Sequence, residues 1–547
     1  MNKNITRVAS LLLAFLCLSP HAFAFGSKPI DPLRQRAEQG DIESQIDLGL
    51  NYCNGIGGVK KDYKKAFKWL SVAAEKGHSD AQCNLGLLYF NGHGVKKNLA
   101  EATKWYRKAA GQGNLQAQNN LAVCYEDGQG VPKDVVEAAK WYFKAAEKGN
   151  PKAQCNLGLL YAKGKGVPKN KDDAVKWFRK AADQGHAEAQ CNLGACYDIG
   201  EGVAKDEVEA AKWYRKAAEQ GHARSQCNLG ICYEHGEGVA KNLVEAEQWH
   251  RKAAQAGDAQ AQFNLADFCA EYKGSNKDIA EAVKWYRKAA AQGHAQAQYN
   301  LGLFYAKGKG VRMNKSEAVK WFRKAADQGE AWAQYNLAMS FQKGIGVARN
   351  LPEAAKWYRK AAEQGDAMGQ YGLGISLHNG YGVAKDDVEA AKWFRKAAEQ
   401  GCPPAQRNLG FCYEKGYGVK PDYSEAFKWI RKSAQNGLPD GQCALGFFYS
   451  KGWGVDQDYA EAFKWYLESA LNGLPEGQFV TGLQYKNGRG VKKDEVEAYA
   501  YFHLAGRRYD AARQERNLLK KHLTKEQIAA GQRRAKELQT QIKAAAK

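Results

Sequence analysis

From Trp69 and Trp105 to Trp429 and Trp465, twelve tryptophans stand 36 residues apart, and Tyr501 takes the next place. Only Trp332 and Trp453 fall outside this register. A fixed spacing held over thirteen positions without an insertion leaves little room for anything but a tandem array, because each unit must make the same contacts with its neighbours. At 547 residues the chain is also too long for one hydrophobic core. With 44% hydrophobic and 26% charged residues it has the balance of a folded chain, and neither that of a disordered one nor that of a multi-span membrane protein.

Each repeat reads as two helices. The first, as in AQCNLGLLYFNG (81–92), carries apolar residues at helical spacing and stops at Gly. A GxGV loop follows, and then a second helix such as LAEATKWYRKAAGQG. Asn or Asp stands at the start of the second helix in all thirteen repeats, from Asp62 and Asn98 through Asp278 to Asp494, with an acid three residues on in twelve of them. The pattern predicts a capping box, in which the first side chain accepts from the opening N–H groups and the acid reaches back. Ala four residues after the cap (Ala66, Ala102, Ala138) and Gly or Ala inside the first helix (Gly86, Ala122, Gly158) predict close helix approach. Gly77, Gly113 and Gly149 supply the left-handed residue that ends the second helix. The expected fold is an all-α solenoid.

The 36-residue unit, its GxGV loop, the Ala after the cap and the KWYRKAAEQG close resemble the Sel-one-like repeat (SLR), a relative of the tetratricopeptide repeat. The resemblance covers about Leu33 to Lys547. It implies a right-handed superhelix whose first helices line the concave face, ended by a basic helical pair. It also implies a non-catalytic adaptor that holds partner proteins, since some secreted bacterial members bind host proteins, including secretory immunoglobulin A. Another class of activity comes with the same resemblance: small cysteine-rich members discussed as β-lactamase-like, which would make the chain an enzyme acting on β-lactam or cell-wall amides.

The first 24 residues, with Lys3 and Arg7, an apolar run from Val8 to Leu18, and Ala22 and Ala24, read as a secretory signal, the run being too short to span a membrane. The expected division is a signal at 1–24, a linker and half-repeat cap at 25–40, the solenoid at 41–506 and basic capping helices at 507–547. The last helix should open with a box from Thr524 to Gln527. Export places the chain in the periplasm or outside the cell, where a protein partner, either an envelope protein or a host protein such as an immunoglobulin, is expected and nucleic acid is not. Without the signal the formal charge falls from +22 to about +20, which favours acidic surfaces, yet Arg and Lys late in each second helix also suit the helix dipole.

Chemistry is sparsely signalled. Twelve cysteines follow the signal segment, but Cys83, Cys155, Cys191, Cys227 and Cys443 share a place filled elsewhere by Phe263, Tyr299 or Tyr335, and this favours packing thiols over disulfides such as Cys191 with Cys232. No metal-binding or cofactor-binding motif occurs, and neither is expected. His78, His186, His222 and His294 read as surface turn residues. The one SxxK runs from Ser340 to Lys343, without the companion SDN and KTG motifs of serine acyl transfer.

Departures from the repeat are the candidate sites. The middle of the GxGV loop, elsewhere His93, Gln129, Lys165 or Glu201, becomes Tyr381, Tyr417 and Trp453 in three successive repeats. That row either binds a protein partner or packs on the neighbouring loops. Trp332 is a second candidate. One repeat puts Tyr272 and Ser275 where the others have Gly and Val, which predicts either a hinge or a rewired loop.

Overall fold

In the computed structural model the described residues are 30–545, except Gly274. The expected secretory signal lies outside them. No strand occurs among the described residues. Thirteen pairs of helices follow one another, from Ile42–Asn54 with Tyr63–Glu75 to Pro475–Asn487 with Glu495–Ala505. They are preceded by Ile30–Glu38 and followed by Asp510–Leu519 and Lys525–Ala545. The chain divides into two compact units, one up to Leu265 and one from Ala266, and each is an all-α solenoid.

Backbone chemistry sets the ends of each helix. Gly92 closes a first helix with φ +75° and gives its N–H to the Leu88 carbonyl. Two residues on, Gly94 also has positive φ, and a Cβ there would lie 2.1 Å from the Tyr63 carbonyl oxygen of the preceding repeat. The loop therefore rests backbone to backbone on its neighbour, which only glycine permits. The second helix starts on Asn98, whose side chain accepts from the Glu101 N–H. The capping box is nevertheless half of what the sequence predicts. The Asn98 N–H donates to the Tyr89 carbonyl at 2.9 Å, tying the loop to the first helix, so nothing remains for the acid to accept. Glu101 instead pairs with Lys104, as Glu137 does with Lys140 and Glu209 with Lys212. A reciprocal box forms at Thr524, whose N–H donates to Gln527 Oε1 while the Gln527 N–H donates to Thr524 Oγ1.

The small residues are packing devices. A Cβ on Gly86 would stand 2.7 Å from the Tyr106 ring, and Gly158, Gly194 and Gly302 face Phe178, Tyr214 and Phe322 in the same way. The Ala after each cap is fully buried, as at Ala66, Ala102 and Ala138. Two side-chain ladders join successive repeats. Buried Gln82 donates to the Ala74 carbonyl and accepts from Gln112 at 2.8 Å, and Gln154, Gln190, Gln298 and Gln334 accept from Gln184, Gln220, Gln328 and Gln364. Arg107 reaches forward to the Tyr125 hydroxyl at 3.0 Å, and Arg215 to Tyr233 at 2.6 Å. The helix Ile30–Glu38 makes the same contacts, Arg34 to the Tyr52 hydroxyl and Gln45 to the Ala37 carbonyl, and so serves as a second helix without its first.

The seventh repeat departs from the rest. With Tyr272 in place of the left-handed glycine, the first helix Ala259–Phe268 runs on into a π-helical turn, Cys269–Lys273. The next helix begins at Asn276, capped by Ser275 and not by the expected Asp278, whose N–H donates to Ser275 Oγ. The loop is rewired into helix because a non-glycine residue resists positive φ.

Candidate interaction surface

The loop-middle position touches the first residue of the preceding repeat's second helix. His93 stacks on Tyr63 with centroids 4.2 Å apart, Glu201 pairs with Lys171 at 2.9 Å, and Trp453 lies 5.0 Å from Tyr423. One position is thus filled by an aromatic stack, an ion pair or an aromatic again, and it ties loops together whatever else it does.

Of the residues singled out in sequence, Tyr381 is 39% exposed. Tyr417 is half-buried, 5.1 Å from His378 and 5.7 Å from Phe411. Trp453 meets Phe447 at 5.1 Å and Phe448 at 5.8 Å. Trp332 is 53% exposed, but it stands at the start of a first helix, Ala331–Lys343, and not on a loop. The structure adds Phe411, Phe447, Tyr423 and Tyr459, all exposed. Their signal was present in the sequence: Phe411 and Phe447 hold a place that is Leu87, Val123, Leu159 and Ile231 in other repeats. Repeats eleven and twelve therefore carry two aromatic clusters, half-buried Tyr417 with exposed Phe411, and half-buried Trp453 with exposed Phe447 and Tyr423.

Charge around these clusters is mixed. His378 Nδ1 lies 2.6 Å from Asp387, which Lys385 also approaches at 3.4 Å. Lys451 stands 5.6 Å over Phe447. Much of the positive charge elsewhere serves the fold. In ten successive repeats, from Trp105 to Trp429, the Lys three residues after Trp places its ammonium 3.9 to 4.3 Å from the indole.

The serine, cysteine and histidine groups that sequence offers for chemistry are used otherwise. The Ser340 hydroxyl is buried and donates to the Asn336 carbonyl one turn back, so the SxxK serine is a helix-interior residue. None of the twelve described cysteines is in a disulfide, Cys191 and Cys232 included, and burial pushes the thiols of Cys53, Cys227 and Cys412 up to about 12. Of the histidines expected on the surface, all half-buried, His186, His222 and His294 cap first helices, while His78 makes no cap bond and faces Glu43. His186 Nδ1 accepts from the Ala189 N–H and His222 Nδ1 from the Ser225 N–H, and desolvation lowers both pKa values, that of His186 to about 4. No group of His, Cys, Asp and Glu suited to a metal ion occurs among the described residues, and no described helix is long and apolar enough to cross a membrane.

A model of the Sel1 repeat matches thirteen successive segments, from 42–78 through 259–294 to 475–510. Among solved structures, c5321, a protective antigen present in uropathogenic Escherichia coli strains displaying an SLR fold, is 37% identical, with 87% of this chain and 95% of that one covered and a TM-score of 0.61. A Sel1 repeat protein from Oxalobacter formigenes is 35% identical over 45% of this chain and 96% of its own, with a TM-score of 0.42. None of the curated proteins compared matches.

Proposed function

Because the chain belongs to the Sel1 repeat family, we propose that this non-catalytic, tetratricopeptide-like scaffold is exported and holds a partner protein along the loop edge of repeats ten to twelve. The observation that carries this reading is the concentration of exposed aromatics there, Tyr381, Phe411, Phe447 and Tyr459, at places that most other repeats fill with aliphatic, polar or charged residues. Exposed aromatics clustered at one edge are the usual anchors of protein interfaces. The signal-like start supports export, and so does likeness to a protein that is a protective antigen.

The test is capture by the chain from Phe25 onward, from envelope extract and from host secretions containing immunoglobulin A, at low and at physiological salt. Tyr417 and Trp453 also hold their loops, so the disrupting variant is Tyr381→Ser with Phe411→Ser and Phe447→Ser. A partner retained at physiological salt and weakened at least tenfold by the triple variant supports the reading. Retention at full affinity by a folded triple variant removes the edge from it.

A further inference from the structure

We propose that the twelfth repeat contains a receptor for a lysine side chain of a partner polypeptide, built on the indole of Trp465. The proposal begins with the stack of Lys on Trp that ten repeats share. At the matching place after Trp465 stands Glu468, and the Arg before it has become Leu467. Leu467 is accounted for by packing, since with Leu471 it lies against Ala470, Ala535 and Leu538, where the final helix returns. Glu468 is exposed and has no ion-pair partner among the described residues.

The rest of the site keeps its repeated form. Asn472 donates to Gln442 Oε1 at 2.9 Å, as Asn436 does to Gln406 one repeat earlier. Lys464 pairs with Glu461, as Lys428 does with Glu425. What changes is the missing ammonium, and there an open cavity of about 600 Å³ lies, lined by Trp465, Glu468, Gln442, Asn472 and the Glu461–Lys464 pair. The chain itself shows ten times over that this indole face accepts a primary ammonium about 4 Å away. An aromatic face beside an unpaired carboxylate attracts a cation through the ring quadrupole and the negative charge together. With Glu461 already paired to Lys464, the free negative charge of the site is that of Glu468, and it favours an incoming cation.

This inference rests on the reading of the chain as a protein-binding scaffold, but its test is separate from partner capture. The full chain is labelled with 5-fluorotryptophan, the Trp465 resonance is assigned by Trp465→Phe, and two peptides are titrated in, Ac-Ala-Gly-Lys-Gly-Ala-NH2 and its norleucine counterpart. The lysine peptide is expected to shift the Trp465 signal saturably and the norleucine peptide to leave it in place. Glu468→Lys restores the internal stack and should abolish the response with the circular dichroism spectrum unchanged. Glu468→Gln, which keeps the shape and removes the charge, should weaken it at least threefold. Equal responses to the two peptides, or an undiminished response in Glu468→Lys, would overturn the proposal. The loop-edge triple variant should titrate like the parent, so failure of the edge and failure of the receptor are read separately.

Discussion

Gln118 Oε1 is buried without a hydrogen-bond donor, and the cause lies 30 residues away. Where Gln112, Gln184 and Gln220 donate to the Gln of the preceding repeat, the third repeat has Lys148. Lys148→Gln should complete the ladder and raise stability by about 0.5–1.5 kcal/mol, seen as a higher urea midpoint, while Lys148→Ala should bring no such gain. His186 ties stability to pH. Its folded pKa is lowered from 6.5 to about 4, first by burial and then by Lys152 and His222 nearby. The unfolded chain therefore takes up the proton near 6.5 while the folded chain refuses it until about 4. Stability from this group is whole above the window, falls as pH drops through it by up to about 1.4 kcal/mol per pH unit, and falls no further below it. Asn caps the same place at Asn114 and Asn150, so His186→Asn should leave stability at pH 7 nearly unchanged and make the slope between 6.5 and 4 shallower. Urea midpoints at pH 7 and 5 check this, and an unchanged slope would count against it.

Within an element, the two glycines of each loop and a glycine inside a helix obey different physics. Gly418 has φ +69°, and an added Cβ would sit 1.9 Å from the Asp387 carbonyl oxygen, so Gly418→Ala should cost at least about 3 kcal/mol through backbone strain and overpacking together. Gly111 ends the helix Leu99–Gly111 with open space around it, and Gly111→Ala should stabilise by up to about 1 kcal/mol. Urea midpoints moving in opposite directions are the expected result. Gly418 belongs to the legible part of the sequence, because caps, left-handed glycines and the alanine after each cap act over a few residues. The unread part lies mainly in which groups meet across loops and between repeats, 9 to 36 residues apart. Nothing in KWYRKAA says that Arg107 finds Tyr125, and with Lys108 lying one helical turn away on Trp105 the spare charge it suggests is largely committed to the fold. The acid of the capping box was misread for the same reason, since the Asn98 N–H was already given to Tyr89. At the candidate surface the loop aromatics could be seen as breaks in the register. Phe411 and Phe447 also break an aliphatic run at their place, but a Phe at an apolar helical position reads as core until the helix face that meets solvent is known.

On the scale of the molecule, a solenoid is stabilised by terms between neighbours, so one weak repeat can divide a long array into sections that unfold separately. The two compact units meet in sequence at Leu265 and Ala266, inside the seventh repeat. That repeat has lost the left-handed glycine to Tyr272 and the loop valine to Ser275, and it holds a π-helical turn, Cys269–Lys273, where others hold a loop. A π turn gives up the tight ladder of an α-helix and is rarely retained without a local cause, here the side chain at the helix-ending position. Urea unfolding followed by circular dichroism is therefore expected to show two steps, one for each unit. Amides between Cys269 and Ser275 should exchange hydrogen faster than those of the GxGV loops, whose glycines are held against a neighbouring carbonyl. Tyr272→Gly with Ser275→Val returns the consensus residues. It should carry the first helix as α-helix to Glu271, move the cap of the second from Ser275 to Asp278, and draw the two unfolding midpoints together. A single step in the parent chain, or two steps equally far apart in the double variant, would show that the weak point of the array lies elsewhere.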